Sequence, residues 1–177
     1  MREIPWQTSN IPGPRLGIAV NADVAHRIIA RARKPLIVVG AELLDEGEEA
    51  IGKVLRLAKL GIPVVATAHS AKSFTAKGQK VVQMGITEIT DRLKDETWEG
   101  CDGKGNYDLV IFLGIEYWLL SQMASTLKHF SKIETVNISR YYQPNTTYSF
   151  PNLKEDLWLG YMEELCKRCE KAFGERA

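Results

Sequence analysis

The sequence predicts an α/β fold: a three-layer α/β/α, Rossmann-like parallel sheet with helices on both faces. Three observations predict it. Short apolar runs alternate with helical patterns along the chain, as βαβ units require. The runs are nearly continuous rather than alternating, which suits strands covered on both faces. At 177 residues the chain also fits one domain with a sizeable core.

Four runs read as strands: Pro35–Gly40 (PLIVVG), Ile62–Thr67 (IPVVAT), Tyr107–Gly114 (YDLVIFLG) and Lys132–Ser139 (KIETVNIS). The last alternates more and is expected nearer an edge. Asn21 can cap a first helix over Ala22–Arg33, with Val24, Ile28 and Ile29 on one face. A second spans about Glu46 to Leu60, with Ile51, Val54, Leu55 and Ala58 at helical spacing. Gly61 supplies a left-handed stop and Pro63 prevents continuation. Further helices are expected over Leu119–Phe130 and about Leu153–Phe173, the last with Trp158, Met162, Leu165, Cys169 and Phe173 on one stripe. Ala71–Asn106 is less regular, with a helix pattern around Thr87–Thr97 and then a loop, Glu99–Asn106, containing three glycines. Residues 1–20, with Pro5, Pro12, Gly13 and Pro14, are expected to form an extended arm ahead of a single domain over 21–177.

Composition narrows the function. Hydrophobic residues make up 45% and charged residues 25%, the balance of a soluble globular protein. A net charge of +1 provides no long-range field toward nucleic acid or an anionic membrane, so neither is expected as a partner. No apolar run approaches the roughly 20 residues that span a bilayer. The first twenty residues lack the basic start and apolar centre of a secretory signal. Three cysteines, Cys101, Cys166 and Cys169, do not make a disulfide scaffold. A cytoplasmic location is therefore expected.

Ligands of open α/β sheets bind beyond the carboxyl ends of the strands. The candidate binding residues are those at the ends of the four runs: Gly40, Ala41 and Glu42; Thr67, His69 and Ser70; Gly114; and Asn137. Their polar side chains and amides suit a nucleotide, although glycine and polar residues end strands in every α/β protein. The first strand does not continue into G-x-G-x-x-G. It runs into five carboxylates within residues 42–49, where a diphosphate would meet a helix N-terminus. A dehydrogenase-type dinucleotide site is disfavoured there.

Other motifs carry less. Cys166-Lys167-Arg168-Cys169 is a CxxC near the end of a helix, where the dipole opposes thiolate formation. It has no second pair with which to bind zinc or a cluster. His26 reads as lying on a solvated helix face, and His129 near a helix C-terminus. His69 is the best-placed histidine, but Ser70 beside it lies outside any G-x-S-x-G turn. Gly103-Lys104-Gly105 is not a phosphate loop. Tyr117–Met123, Arg140–Asn145, Trp158 and Tyr161 are aromatic or apolar enough to be interface residues or core.

The run Arg31–Ser73 (RARKPLIVVGAELLDEGEEAIGKVLRLAKLGIPVVATAHSAKS), preceded by Asn10-Ile11-Pro12-Gly13-Pro14, resembles the epsilon subunits of archaeal acetyl-CoA decarbonylase/synthase complexes. DLVIFLGIEYWLLSQ and KIETVNISRYYQPNTTYSFPN extend the resemblance over almost the whole chain. The order of the strand motifs is also similar to the central domain of thiamine-diphosphate enzymes such as acetolactate synthase, some of which hold the ADP part of FAD there. These resemblances imply a six-stranded parallel sheet of the type shared with deoxyhypusine synthase. They also imply an accessory subunit beside a large nickel–iron–sulfur carbon monoxide dehydrogenase subunit, supporting CO/CO2 interconversion structurally or by assisting electron transfer to a flavin. The implied cofactor, if the chain holds one, is FAD. The implied assembly includes a homodimer. A flavin-binding electron-transfer module in its own right, and a stand-alone NAD- or thiamine-dependent enzyme, remain the alternatives.

Overall fold

Within each long strand, successive side chains enter opposite cores, and this alternation sets the architecture. The computed structural model describes residues 16–175. The four expected strands form as β2 (Pro35–Val39), β3 (Val64–Ala66), β5 (Leu109–Leu113) and β6 (Glu134–Asn137). Ile37, Val39, Leu109, Ile111 and Leu113 face one core; Leu36, Val38, Val110 and Phe112 face the other. Both faces of β2 and β5 are apolar because both are covered.

Three short strands complete the sheet among the described residues: β1 (Ile18–Ala19), β4 (Val82–Gln83) and β7 (Tyr148–Ser149). The sheet therefore has seven strands where the resemblance implied six, in the order β1-β7-β6-β5-β2-β3-β4, and every pair is parallel. The seventh comes from the segment expected to be an arm: Ile18 and Ala19 pair with Tyr148 and Ser149 at the sheet edge. The rest of that expected arm, residues 1–15, lies outside the described residues.

Helices α1 (Ala22–Arg31), α2 (Gly47–Ala58) and α6 (Glu155–Gly174) cover one face, joined by Phe74 of α3 (Ala68–Ala76). Helices α4 (Ile86–Lys94) and α5 (Tyr117–Phe130) cover the other. The division follows from right-handed crossovers: travel outward from β2 to β3 and β4 puts its helices on one face, and travel from β5 to β6 puts them on the opposite one. The reversal falls between β2 and β5, where Pro35–Val39 register against Leu109–Leu113.

Local signals act as expected at several ends. Asn21 Oδ1 accepts the Val24 amide, 2.9 Å, at the start of α1. Gly61 takes φ +86° after α2. Two side chains face the other way from their expected positions. Val24 is exposed, and the buried stripe of α1 is Ala22, Ala25, Ile28 and Ile29. His26 is largely covered rather than solvated, with Nδ1 3.7 Å from Asp23 Oδ1. Helix α3, which has little apolar periodicity, was not among the expected helices.

Candidate functional site: the carboxyl edge of the sheet

After β2 the chain does not enter a helix directly. Ala41–Leu44 form a single 3-10 turn, and α2 begins only at Gly47. The turn folds over the reversal point: the Gly40 amide donates to Leu113 O and the Glu42 amide to Gly114 O, each at 2.9 Å. Gly40 lies against Gly114, and Gly114 lies against the Leu43 backbone. A Cβ on either glycine would sit closer to backbone than real Cβ atoms come, and Gly114 also needs φ +62°. Leu43 is fully buried beneath the turn. At the reversal point the turn after β2 thus packs its backbone directly on the end of β5.

The eight expected binding residues divide accordingly. Gly40 and Gly114 make the close backbone packing. Ser70 is buried, its hydroxyl bonded to Val39 O (3.2 Å) and Thr67 O (3.0 Å), with Thr67 Oγ1 3.1 Å away. Asn137 is buried and donates to Tyr141 O (2.8 Å) and Ser149 Oγ (3.1 Å), pinning the loop between β6 and β7. These five residues hold the floor and the neighbouring loop. Ala41, Glu42 and His69 are brought together on an open cleft of about 580 Å³. Leu44, Asp45, Glu116, Tyr117 and Trp118 complete its lining.

The acidic run after the first strand suggests the character of the cleft, and Glu116, at the end of β5, joins Glu42 and Asp45 in its lining. Burial raises the Glu42 carboxyl pKa, and the carboxylates of Glu116, Asp45 and Glu46 raise it further. Glu116 Oε2 accepts the Trp118 indole N–H at 2.6 Å, fixing the ring at the rim. Tyr117 and Trp118 are 43% and 57% exposed, and Tyr141 on the adjoining surface is 46% exposed. A smaller aromatic hollow beside the cleft is lined by Tyr117, Tyr141, Tyr142 and Asn152. Three carboxylates do not fit the diphosphate of FAD at this turn.

Interface candidates from the sequence separate in the same way. Tyr117, Trp118 and Tyr141 face solvent. Trp158 is core, its indole N–H bonded to Ile138 O at 2.8 Å, while Tyr142, Gln143 and Asn145 are buried. Tyr142 OH donates to Gly17 O at 2.5 Å, tying the β6–β7 loop to the start of β1. Tyr161 packs edge-on to Phe150.

The CxxC cysteines are buried among α1, α2 and α6. Burial pushes the Cys166 thiol up to about 11 and the Cys169 thiol up to about 12. Among the described residues no three His, Cys, Asp or Glu side chains are placed to share a metal ion. No helix among them is long and apolar enough to cross a membrane.

Fold and edge together define a Rossmann-like α/β protein with an acidic, aromatic cleft in place of a diphosphate-binding turn. Within that class the chain belongs to the CO dehydrogenase beta subunit/acetyl-CoA synthase epsilon subunit family, whose model matches residues 1–166. It is similar to the acetyl-CoA decarbonylase/synthase complex subunit epsilon of Methanothrix soehngenii, 44% identical over 85% of this chain and 81% of that one. The protein of the same name from Methanothermobacter thermautotrophicus is 40% identical over 93% of this chain and 95% of its own length. Subunit epsilon 1 from Archaeoglobus fulgidus is 44% identical over 88% and 85%.

Proposed function

We propose that this chain is the accessory epsilon subunit of the carbon monoxide dehydrogenase component of an acetyl-CoA decarbonylase/synthase complex. It supports CO/CO2 interconversion from beside a large nickel–iron–sulfur subunit and leaves the metal chemistry to that subunit. The observation that carries this reading is the near full-length likeness to proteins bearing that subunit name. The cleft agrees with it. Exposed aromatic side chains on a rigid floor suit a protein interface, where Tyr and Trp contribute most per residue. In keeping with a subunit of a symmetric assembly, the chain is proposed to self-associate as a homodimer. We place the work of the protein in the cytoplasm.

The second reading gives the chain an FAD of its own to pass electrons. It draws on the Rossmann strand order and on the position of Ala41, Glu42 and His69 beyond the carboxyl ends of β2 and β3. The acidic lining argues against it. One experiment separates the two readings: capture of the purified large carbon monoxide dehydrogenase subunit on the tagged chain, followed by absorption spectra after adding FAD. Co-elution without a flavin signal is the expected result. A perturbed flavin spectrum that disappears in His69→Ala supports the electron-transfer reading, and absence of co-elution refutes the subunit assignment.

A further inference from the structure

We propose that the carboxyl-edge cleft docks a cationic polypeptide segment, an arginine- or lysine-bearing stretch with an apolar neighbour, presented by a protein partner. The acidic run after β2 supplies the first observation. Glu46 pairs with Arg140 at 3.0 Å, Glu49 with Lys53 at 3.2 Å, and Glu48 with Lys77. Glu42 and Asp45, which line the cleft, have no basic partner among the described residues. Glu116 joins them from the end of β5, and its bond to the Trp118 indole leaves its charge unneutralised. The acids of this region that find cations within the chain point away from the cleft; those that do not point into it.

The aromatic rim is the second observation. Tyr117 and Trp118 present open ring surface beside the carboxylates, whereas the Tyr141 ring on the adjoining hollow already carries the chain's own Arg140 guanidinium, 5.7 Å from its centroid. A guanidinium stacks on such rings while its fork meets a carboxylate, so the two features together select a cation with some apolar surface. Other occupants meet specific obstacles. An anion is repelled, a wholly apolar segment would strip water from three charges without repayment, and the carboxylates are not placed to share a metal ion. The floor is already in place, since the Ala41–Leu44 turn is bonded to the end of β5, so little ordering is needed on binding. The proposal deepens the subunit assignment and rests on it, with the large subunit as the partner that supplies the segment.

The test is a titration of the 15N-labelled full chain followed by NMR, with three probes: the blocked tetrapeptide Leu-Arg-Leu-Arg, its Leu-Glu-Leu-Glu counterpart, and FAD. The arginine peptide should shift the Trp118 indole resonance and the Glu42 and Glu116 amides saturably, with a Kd on the order of 1 mM. The triple variant Glu42→Gln, Asp45→Asn, Glu116→Gln, with its spectrum otherwise unchanged, should weaken binding about tenfold. Equal shifts with the glutamate peptide, shifts that survive the triple variant, or no saturable shift at all would overturn the proposal. So would tighter binding of FAD at these resonances, or the same shifts produced by concentrating the chain alone, which would make the occupant a second copy. The capture experiment run beside it keeps the two ideas apart. If the large subunit co-elutes equally with wild type and triple variant, the subunit assignment stands and the docking site falls.

Discussion

Gly114 and Glu42 show how much of the site depends on single residues. Gly114 combines a left-handed backbone with contact against Leu43, so any side chain there must displace the 3-10 turn. Gly114→Ala should cost roughly 2–4 kcal/mol of stability, read from the urea midpoint, because strain and backbone overlap act at one position. Glu42 behaves oppositely. Its folded-state pKa is raised, so the folded chain holds that proton more tightly than the unfolded chain, and ionising the group at higher pH costs stability. Glu42→Gln should therefore make the isolated chain slightly more stable at neutral pH, with the gain disappearing as pH falls below the unfolded carboxylate range. A loss of stability at neutral pH in the same denaturation assay would show that Glu42 has an internal role. Cys166 and Cys169 lie in the core with thiols held far from ionisation. A thiol reagent should modify only the half-buried Cys101 in the native chain, and all three cysteines after denaturation, as mass spectrometry would read directly.

Between elements, α2 and α6 are joined by a charge network over a shared apolar seam. Arg56 forks onto Glu170 at 2.7 and 2.8 Å and reaches Glu163 at 2.6 Å; Lys53 meets Glu163 at 2.5 Å. The two cations hold the Glu163 carboxyl well below its ordinary 4.5, at about 2, with the Lys53 bond the larger cause. A lowered carboxyl pKa contributes stability that is present above the unfolded value and lost as pH falls through the folded one. Acid should thus loosen the α2–α6 contact between about pH 4.5 and 2, and Glu163→Gln should flatten that part of the stability curve. The pairs are partly exposed, so each is worth at most about 1 kcal/mol and fades with salt. The apolar part matters more. Trp158→Phe should cost about 2–3 kcal/mol, since it leaves Ile138 O without its indole donor in a dry core. A midpoint unchanged from wild type would show that water replaces the bond.

For the whole molecule, the strand order turns an ordinary α/β chain into one with a single marked edge. Travel reverses between β2 and β5, α2 and α5 leave to opposite faces, and the gap this opens is where the class binds phosphates. Here the turn after β2 packs on the end of β5, and the open cleft at this edge is lined by carboxylates and aromatic rings. A Rossmann-like scaffold thereby presents an acidic, aromatic edge. If the chain is a homodimer as proposed, sedimentation should give twice its 19.9 kDa, and a monomer at all concentrations would refute that part of the assembly.

The sequence by itself determined the fold class, the four long strands, and all helices but α3. Periodicity and apolar runs are local, and a strand buried on both faces leaves an unmistakable run such as PLIVV or LVIFL. It also named the edge where the cleft lies, because strand ends are local features. Tertiary structure decided the rest. Ile18–Ala19, Val82–Gln83 and Tyr148–Ser149 are too short to carry a pattern and are strands only because a neighbour pairs with them. Which of Gly40, Ala41, Glu42, Thr67, His69, Ser70, Gly114 and Asn137 would be floor and which would face solvent depended on how the 3-10 turn packed on β5. The meeting of Glu42 and Asp45 with Glu116, more than seventy residues away in the chain, depended on β2 and β5 lying side by side. A contact across that separation is set by sheet pairing, and no window of sequence contains it.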